Sequence, residues 1–303
     1  MNVTRKKNVA GMAAAFTGNI VFGFTFVFTK QILNAGMSPY ALLSWRLIIA
    51  CTVMAALGAC GVLHLRFKGK RLLRLLPLGL AEPCFYFICE SYGIAKTTAS
   101  ESGTIIAVIP IAVLLLTRLV FKERHSRGQI FGVLFSVIGI VCVVLASGFS
   151  ASFSLCGYAL LFGAVIVAAF YNIGVRWLGN EFTSAEITFG TNALGMLFFT
   201  LLAVGEGLLK GNLAQIFWLP LHNPQVLINV VLLALGASIG AFMLIIYAIG
   251  SIGPTRSSSF AGITTTTTIL FGLIILGERM LPGQLLGAAM IIVGVWCANY
   301  FVR

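Results

Sequence analysis

The sequence contains no aspartate, and only 9% of its 303 residues are charged. Without aspartate the chain cannot act as an aspartyl protease or as a pump that forms an aspartyl-phosphate. It also lacks the glycine-rich Walker A sequence, so it encodes no ATP-driven motor of its own. Its three histidines, His64, His125 and His222, all lie in predicted loops. These absences exclude several classes of enzyme and pump.

Apolar residues take the place of the missing charge. They make up 59% of the sequence, and the mean hydropathy is +1.02. Apolar runs of about 20 residues recur, and each is long enough to cross a hydrocarbon core of roughly 30 Å as a helix. Lipid offers no hydrogen bonds to the backbone, so such runs must be helical. The sequence therefore predicts an all-α integral membrane protein.

The predicted transmembrane spans lie at residues 9–33, 39–61, 72–95, 100–120, 128–147, 155–178, 184–209, 226–250, 256–276 and 283–301. The first follows Arg5-Lys6-Lys7, as the apolar part of a signal peptide would. It has no small-residue cleavage site, and we interpret it as a retained span. The long connection near residues 210–225 is expected to be a surface loop or a short interfacial helix.

The net charge of +12 does not indicate nucleic-acid binding, because the basic residues lie in alternate short loops. They concentrate before the first span, at 66–74 and at 122–127. Short loops rich in Lys and Arg stay on the cytoplasmic side of a membrane. The distribution therefore predicts that both termini are cytoplasmic. The seven cysteines lie in or beside apolar runs and are expected to be packing residues.

An internal repeat organises the chain. The segment Tyr92–Cys142 returns without a gap as Tyr247–Cys297, displaced by 155 positions. The copies share eleven identities in 51 positions, and most are Gly, Ser, Tyr, Gln, Glu or Arg and not apolar filler. The matched pairs include Glu123-Arg124 with Glu278-Arg279. A duplicated helix–turn–helix is the simplest interpretation.

The duplication is expected to cover the whole chain. A weaker match at an offset of 146 aligns the first span with the sixth and places Lys30 opposite Arg176. This divides the chain into an N-terminal five-helix repeat at 1–148 and a C-terminal one at 149–303. Because five is odd, the second copy must enter the membrane from the opposite side. The sequence thus predicts ten transmembrane helices in two inverted repeats.

Several loose motifs follow one another along both halves: Phe22-Gly23, Lys30, Pro39, Arg46, the stretch Tyr92 to Ser100, Pro110, Glu123-Arg124, and Gly128, Gly132 and Gly139. Their order and spacing resemble the drug/metabolite transporter superfamily, specifically its EamA-type members, over nearly the full length. One departure is Thr265, which stands where the second half of such proteins often has a proline. The hydrogen bonding of the ninth span is expected to differ as a result.

The resemblance implies a secondary transporter of a bacterial inner membrane that exposes a central site alternately to each side. Its substrate would be a small metabolite such as an amino acid or a related solute, and export is more usual than uptake. The chain is not expected to be an enzyme or to carry a catalytic residue, cofactor or metal. The expected partners are the substrate and membrane lipid, with a homodimer left open. Two alternatives remain, an uncoupled facilitator and a non-transporting receptor or scaffold.

Three ionisable residues, Arg46, Glu82 and Glu90, lie inside predicted spans, where charge is costly and normally functional. Glu82, Tyr86 and Glu90 are spaced by four residues and share one helical stripe. One interpretation is that a glutamate binds a proton or a cationic substrate, since burial favours a neutral carboxyl group. The other is a permanent Arg46–Glu90 ion pair. Glu82 is favoured for protonation because no cation matches its depth.

Other polar and aromatic residues inside spans are candidates to line a substrate cavity near mid-membrane, although helix packing explains each of them equally well. The complete predicted substrate-binding set is Asn19, Trp45, Arg46, Glu82, Tyr86, Glu90, Asn172, Asn192, Tyr247 and Ser258. Glu82 and Glu90 are the predicted proton-coupling residues.

Two further features have competing interpretations. Lys30 and Arg176 lie near opposite membrane surfaces, where they either extend toward water or close gates on the two sides. The segment Gly236-Ala-Ser238-Ile-Gly240 matches the GxSxG pattern of serine hydrolases. Because no histidine lies near it along the chain, catalysis by Ser238 is not expected.

Overall fold

A computed structural model of the protein describes residues 3–121, 126–147, 154–211, 213–258 and 260–300. Throughout these residues the regular structure is helical. Eight helices are long and apolar enough to cross a membrane, and two more contain the shorter apolar stretches Ile130–Val143 and Pro282–Gly294. The prediction of an all-α membrane protein is confirmed. The inverted repeat stays a prediction, and its Glu123-Arg124 turn lies outside the described residues.

The helices fall close to the predicted spans. They are α1 (Val3–Asn34), α2 (Pro39–Ala59), α3 (Leu72–Lys96), α4 (Ala99–Val120), α5 (Arg127–Ser147), α6 (Leu155–Leu178), α7 (Ser184–Lys210), α8 (Leu213–His222), α9 (Pro224–Ile252), α10 (Pro254–Ile275) and α11 (Pro282–Tyr300). The short α8 occupies the long connection and settles it as helical. In the bundle α1 packs on α9 and α10, α2 on α7, α3 on α6, and α4 on α6 and α10.

Side chains at the helix starts explain the tight turns. The Ser38 hydroxyl accepts a hydrogen bond from the Ala41 N–H, and Pro39 fills the first position of α2. Thr98 and Glu101 form a reciprocal capping box at the start of α4, in which each side chain bonds to the other's backbone N–H. Thr183 and Glu186 do the same for α7. Such caps let a new helix begin within a few residues of the last.

The helices α5 and α11 pack directly on each other through glycines. A Cβ atom added to Gly287 would lie 2.5 Å from the Gly139 carbonyl oxygen, and one added to Gly294 would lie 2.6 Å from that of Gly132. The Ser136 hydroxyl donates to the Ile291 carbonyl at 3.3 Å. Small residues allow this close approach of two helices. Gly139 and Gly132 of α5 therefore lie in close contact with Gly287 and Gly294 of α11.

Three helices are irregular near their middle. Backbone angles of −138° and 117° at Glu82 break α3 just before Pro83. The segment Ala99–Ile106 of α4 ends shortly before Pro110, and α9 is a π-helix over Leu233–Ala241. Proline removes a helical hydrogen bond, which accounts for the first two interruptions. Pro83 and Pro110 thus lie at or just after these interruptions.

Ion pairs tie two loops together at one end of the bundle. Lys70 pairs with Glu186, which also accepts the Arg66 N–H, and Arg74 pairs with Glu181. The Arg71 backbone N–H, together with the Arg74 guanidinium, lowers the pKa of Glu181 below its ordinary value. The loops that precede α3 and α7 therefore meet at this end. We call it the basic end.

Candidate functional site

A central cavity lies between α1, α2, α3, α4, α6, α9 and α10, with an empty volume of about 870 Å³ including its opening. Its wall is largely aromatic around Phe242, whose ring lies 5.3 Å from that of Phe22, 6.0 Å from Phe87 and 6.4 Å from Tyr171. A few polar side chains interrupt this wall. The arrangement offers an apolar surface with a small number of directional contacts.

Most of the predicted site residues meet in this cavity, although they come from five helices. Those that line it are Asn19, Arg46, Glu82, Tyr86, Glu90, Asn172 and Ser258. The stripe of Glu82, Tyr86 and Glu90 faces the cavity even though α3 breaks at its first member.

The other three predicted residues lie outside the cavity lining. The Asn192 amide donates to the Ser238 carbonyl at 2.8 Å and thereby joins α7 to α9. Trp45 packs in a separate apolar cluster around Ile32 and Leu42. Tyr247 is 41% exposed on the side of α9. Nothing in the position of these three side chains brings them to the cavity.

The break in α3 holds the Glu82 carboxylate at the cavity wall. The residue is buried, with 8% of its surface exposed, and its extended backbone interrupts the helix. Among the described residues no group donates a hydrogen bond to this carboxylate. A buried carboxylate without a partner is costly and points to a ligand or a proton as the missing partner.

Glu90, the second glutamate of the stripe, already has a hydrogen-bond donor. The Tyr86 hydroxyl donates to Glu90 Oε1 at 2.8 Å, one helical turn away, and both side chains are buried. This hydrogen bond orients the Glu90 carboxylate and satisfies one of its oxygens. The two glutamates of the stripe therefore differ in their environment.

Arg46 reaches the cavity from α2 and is 2% exposed. Its Nε donates to the Ser238 hydroxyl at 2.6 Å, and its guanidinium carbon lies 4.5 Å from the centre of the Phe87 ring. Its Nη2 is buried with no hydrogen-bond partner in the described part of the chain. The hydrogen bond from Arg46 Nε also gives the serine of the GxSxG segment a partner, because the Ser238 hydroxyl accepts it.

The direct Arg46–Glu90 ion pair suggested by the sequence is not present. Across the described residues, no nitrogen of Arg46 lies within 4.0 Å of a Glu90 oxygen. Tyr86 takes the Glu90 carboxylate instead, and Ser238 and Phe87 hold the guanidinium. The charges interact across the cavity without contact.

On two helices the cavity lining extends close to the basic end of the bundle. On α10 its lining begins in the first turn, at Ser257 and Ser258, and on α6 it includes Asn172 near the helix C-terminus. Both helix ends adjoin loops on the basic side. The threonine run of α10, which replaces the expected proline, bonds to neighbouring helices: Thr264 donates to the Asn19 carbonyl at 3.0 Å and Thr265 to the Gly103 carbonyl at 3.1 Å.

Sequence reasoning missed the residues that complete the cavity. Phe87, Phe242 and Phe22 form most of its aromatic wall, and Ser238 supplies the partner of Arg46. The phenylalanines are spread among 24 in the chain, so composition does not single them out. The GxSxG segment can be recognised in the sequence. Its contact with Arg46 cannot, because that contact depends on how the helices pack.

Comparisons with known proteins match this architecture. The family model described as the EamA-like transporter family matches residues 9–145 and again 155–300. The uncharacterized transporter YcxC of Bacillus subtilis is 28% identical, covering 94% of this chain and 91% of its own. A WAT1-related protein of Arabidopsis thaliana is 23% identical, covering 92% of this chain and 81% of its own.

The fold also matches a solved structure. A protein crystal structure aligns with a TM-score of 0.63 over 98% of this chain and 97% of its own, at 17% identity. At that identity the likeness concerns the fold alone. Since the family model covers both halves of the sequence, the chain belongs to the EamA-like transporter family.

Proposed function

We propose that the protein is a secondary active transporter that exports a small metabolite, an amino acid or a related solute, across a bacterial inner membrane. The observation that carries the proposal is that, among the described residues, one cavity holds a Glu82 carboxylate and an Arg46 Nη2 that both lack a hydrogen-bond partner. Both groups are buried, and both need a ligand to be satisfied. A substrate with one acceptor and one donor would fit them together.

The remaining lining residues would select the substrate. Asn19, Asn172 and Ser258 offer amide and hydroxyl contacts, and the phenylalanine wall would bury an apolar portion. Asn19 and Asn172 each donate an amide hydrogen to a carbonyl of their own helix, so their amide oxygens face other partners. Thr264 already bonds to the Asn19 oxygen at 2.9 Å. Asn172 is therefore the better candidate for a direct substrate contact.

Glu82 is the proposed coupling residue, with Glu90 in a supporting role. A carboxyl group that binds either a proton or the substrate makes the two compete, and this competition links their movements in alternating access. Tyr86 holds Glu90 by a hydrogen bond, whereas Glu82 has no such contact within the described residues. Exchange of a proton for the substrate at Glu82 would therefore disturb fewer hydrogen bonds than the same exchange at Glu90.

The test is an untargeted comparison of the medium around cells that express different variants. Cells carry the wild type, the Glu82→Gln and Glu90→Gln double variant, the Glu181→Gln variant, or an empty vector. Glu181 undergoes the same chemical change far from the cavity, so it is the matched control. We expect one metabolite to accumulate with the wild type and Glu181→Gln only. Accumulation with the double variant would remove the glutamates from the mechanism, and no accumulation with any protein would contradict export.

A further inference from the structure

The turn between α3 and α4 is held from both sides at the end of the bundle opposite the basic end. The first contact comes from Lys30 on α1. Its ammonium group donates to the carbonyl oxygens of Thr97 at 2.6 Å, Ile94 at 2.9 Å and Ala95 at 3.4 Å. These are carbonyls at the C-terminus of α3, which carries partial negative charge and lacks helical donors. A cation there satisfies and stabilises the helix end.

The second contact comes from Glu278, in the loop between α10 and α11. Its carboxylate accepts the Ala99 N–H at 2.7 Å, the Ser100 N–H at 3.0 Å and the Ser100 hydroxyl at 2.6 Å. These donors belong to the first turn of α4, where partial positive charge favours an anion. Lys30 and Glu278 thus bind the two sides of one turn with opposite charges. Glu278 and Glu101 also lie close enough to Lys30 to interact with its charge.

Two glycines make the Glu278 contact fit. Gly277 has a φ of +62°, a left-handed conformation that ends α10 and turns the chain back. A Cβ atom at Gly272 would lie 2.6 Å from the Ser100 hydroxyl and 2.8 Å from Glu278 Oε2. A side chain at position 272 would therefore push the carboxylate away from α4.

A layer of hydrogen bonds lies between this turn and the cavity. Thr265 of α10 donates to the Gly103 carbonyl of α4, and Thr268 donates to the Gly23 carbonyl of α1 at 3.0 Å. Gln284 of α11 donates to Glu101 at 2.7 Å. The cavity lining on α4 begins only at Ile106, beyond this layer. This layer therefore separates the turn from the cavity, whereas the lining on α10 reaches Ser257 in the first turn at the basic end.

We propose that Lys30 and Glu278 form a latch that closes this end of the transport path and releases the α3–α4 turn when the cavity opens there. The latch rests on the proposed alternating access. It acts through charge at two helix ends, so either charge can be removed without changing the cavity. A permanent cap would have the same contacts but would never open.

The test measures access to a reporter thiol in the full-length protein. The reporter is Ile106→Cys, in a background where the exposed Cys60 and Cys156 are serine, and the reagent is a charged, membrane-impermeant methanethiosulfonate. Right-side-out and inside-out vesicles are labelled separately, and Lys96→Cys in the same background identifies the face that carries the latch. The same background without a reporter is subtracted.

We expect Lys30→Met and Glu278→Gln to raise labelling of Ile106→Cys from the latch face by about tenfold or more, the factor for a lost hydrogen bond to a charge. Labelling from the other face should change little. Lys96→Met removes a neighbouring exposed charge and is the matched control, and Lys30→Arg should restore slow labelling. Unchanged labelling in folded variants would make the two residues structural caps and overturn the latch.

A second variant covers the case in which loss of charge impairs folding. Gly272→Ala keeps every charge but displaces Glu278, and should also raise labelling, whereas Gly205→Ala has open space around its added carbon and should not. Equal labelling of these two alanine variants would overturn the latch. Since labelling needs no substrate, a labelling change without any exported metabolite would leave the latch standing and remove the proposed export.

Discussion

The helices α3 and α9 hold corresponding places in the predicted repeat, yet they carry different chemistry. When the offset of 155 is extended back from the matched Tyr92 and Tyr247, Leu80–Phe85 of α3 falls on a stretch inside Leu233–Ala241 of α9, and both stretches depart from α-helical geometry. In α3 this stretch contains Glu82. In α9 it is Leu-Ala-Leu-Gly-Ala-Ser-Ile-Gly-Ala, with no charge. The position that corresponds to Glu90 is Ile245.

The two helices therefore share the irregular geometry but not the charge. Arg46 connects the two helices, because it stacks on Phe87 of α3 and donates to Ser238 of α9. The irregular helix α3 thus supplies the titratable glutamates, and α9 supplies the Ser238 hydroxyl that positions Arg46. Unwound segments near mid-membrane are where transporters of this kind bind their substrates.

The most damaging change should be Arg46→Met, which removes the group shared by α3 and α9. It removes the one cation in the described part of the cavity lining, close to two buried glutamates, and takes the partner from Ser238. A hydrogen bond to a charged group contributes about 1.5–3 kcal/mol, so loss of the Arg46 contact should lower export by about tenfold to a hundredfold. Export rate and melting temperature are measured together. Arg46→Lys keeps the charge and should lose less; equal losses would mean that charge at this site is irrelevant.

The next variants test whether the carboxyl group must lie on α3 and not on α9. Glu82→Gln should slow export by about tenfold or more, and should flatten its dependence on pH because the amide cannot take up a proton. Ala237→Glu together with Glu82→Ala moves the carboxyl group to the corresponding place on α9 and should not restore export. The pH profile of export rate is the measurement. Full recovery in the double variant would show that the two helices are interchangeable.

A third change addresses the packing of the α3 break. A Cβ atom at Gly195 of α7 would lie 2.3 Å from Pro83 Cγ, whereas Gly205 of the same helix has open space. Gly195→Ala should destabilise the protein by about 1–3 kcal/mol through overpacking. Gly205→Ala should be neutral or slightly stabilising, because alanine favours helix over glycine by roughly 1 kcal/mol. Similar melting temperatures for the two variants would show that the break tolerates bulk.

The smallest effect should come from Glu181, in the loop that leads into α7. The pKa of Glu181 is lowered by the Arg71 N–H and the Arg74 guanidinium, so its contribution is present at neutral pH and is lost as the pH falls through the lowered pKa. Glu181→Gln should therefore melt slightly below the wild type at pH 7. The difference should vanish in acid, where both side chains are neutral. A difference that stays constant with pH would assign the effect to packing and not to charge.

The sequence predicts the spans well, because hydropathy and the membrane thickness constrain them together. The stripe of Glu82, Tyr86 and Glu90 was also predicted, since a spacing of four residues fixes one face of a helix. Capping residues such as Thr98 and Glu101 mark the start of α4 in the sequence itself. These features depend on local spacing, which a sequence displays directly.

Side-chain direction between helices could not be predicted in the same way. Trp45 and Arg46 are adjacent, but neighbouring residues on a helix point about 100° apart, and only Arg46 lines the cavity. The Asn192 side chain bonds to the Ser238 carbonyl, and Tyr247 lies on an exposed side of α9, so neither reaches the cavity. The Arg46 contact with Ser238 joins residues 192 positions apart, and no local pattern encodes it. Such contacts depend on how the helices pack.

Uphill transport in proteoliposomes tests coupling through Glu82. Wild type and Glu82→Gln are reconstituted separately, a proton gradient is imposed, and the metabolite identified in the medium comparison is followed across the membrane. We expect the wild type to concentrate the metabolite against its gradient and Glu82→Gln only to equilibrate it. Equal concentration by both proteins would contradict coupling through Glu82.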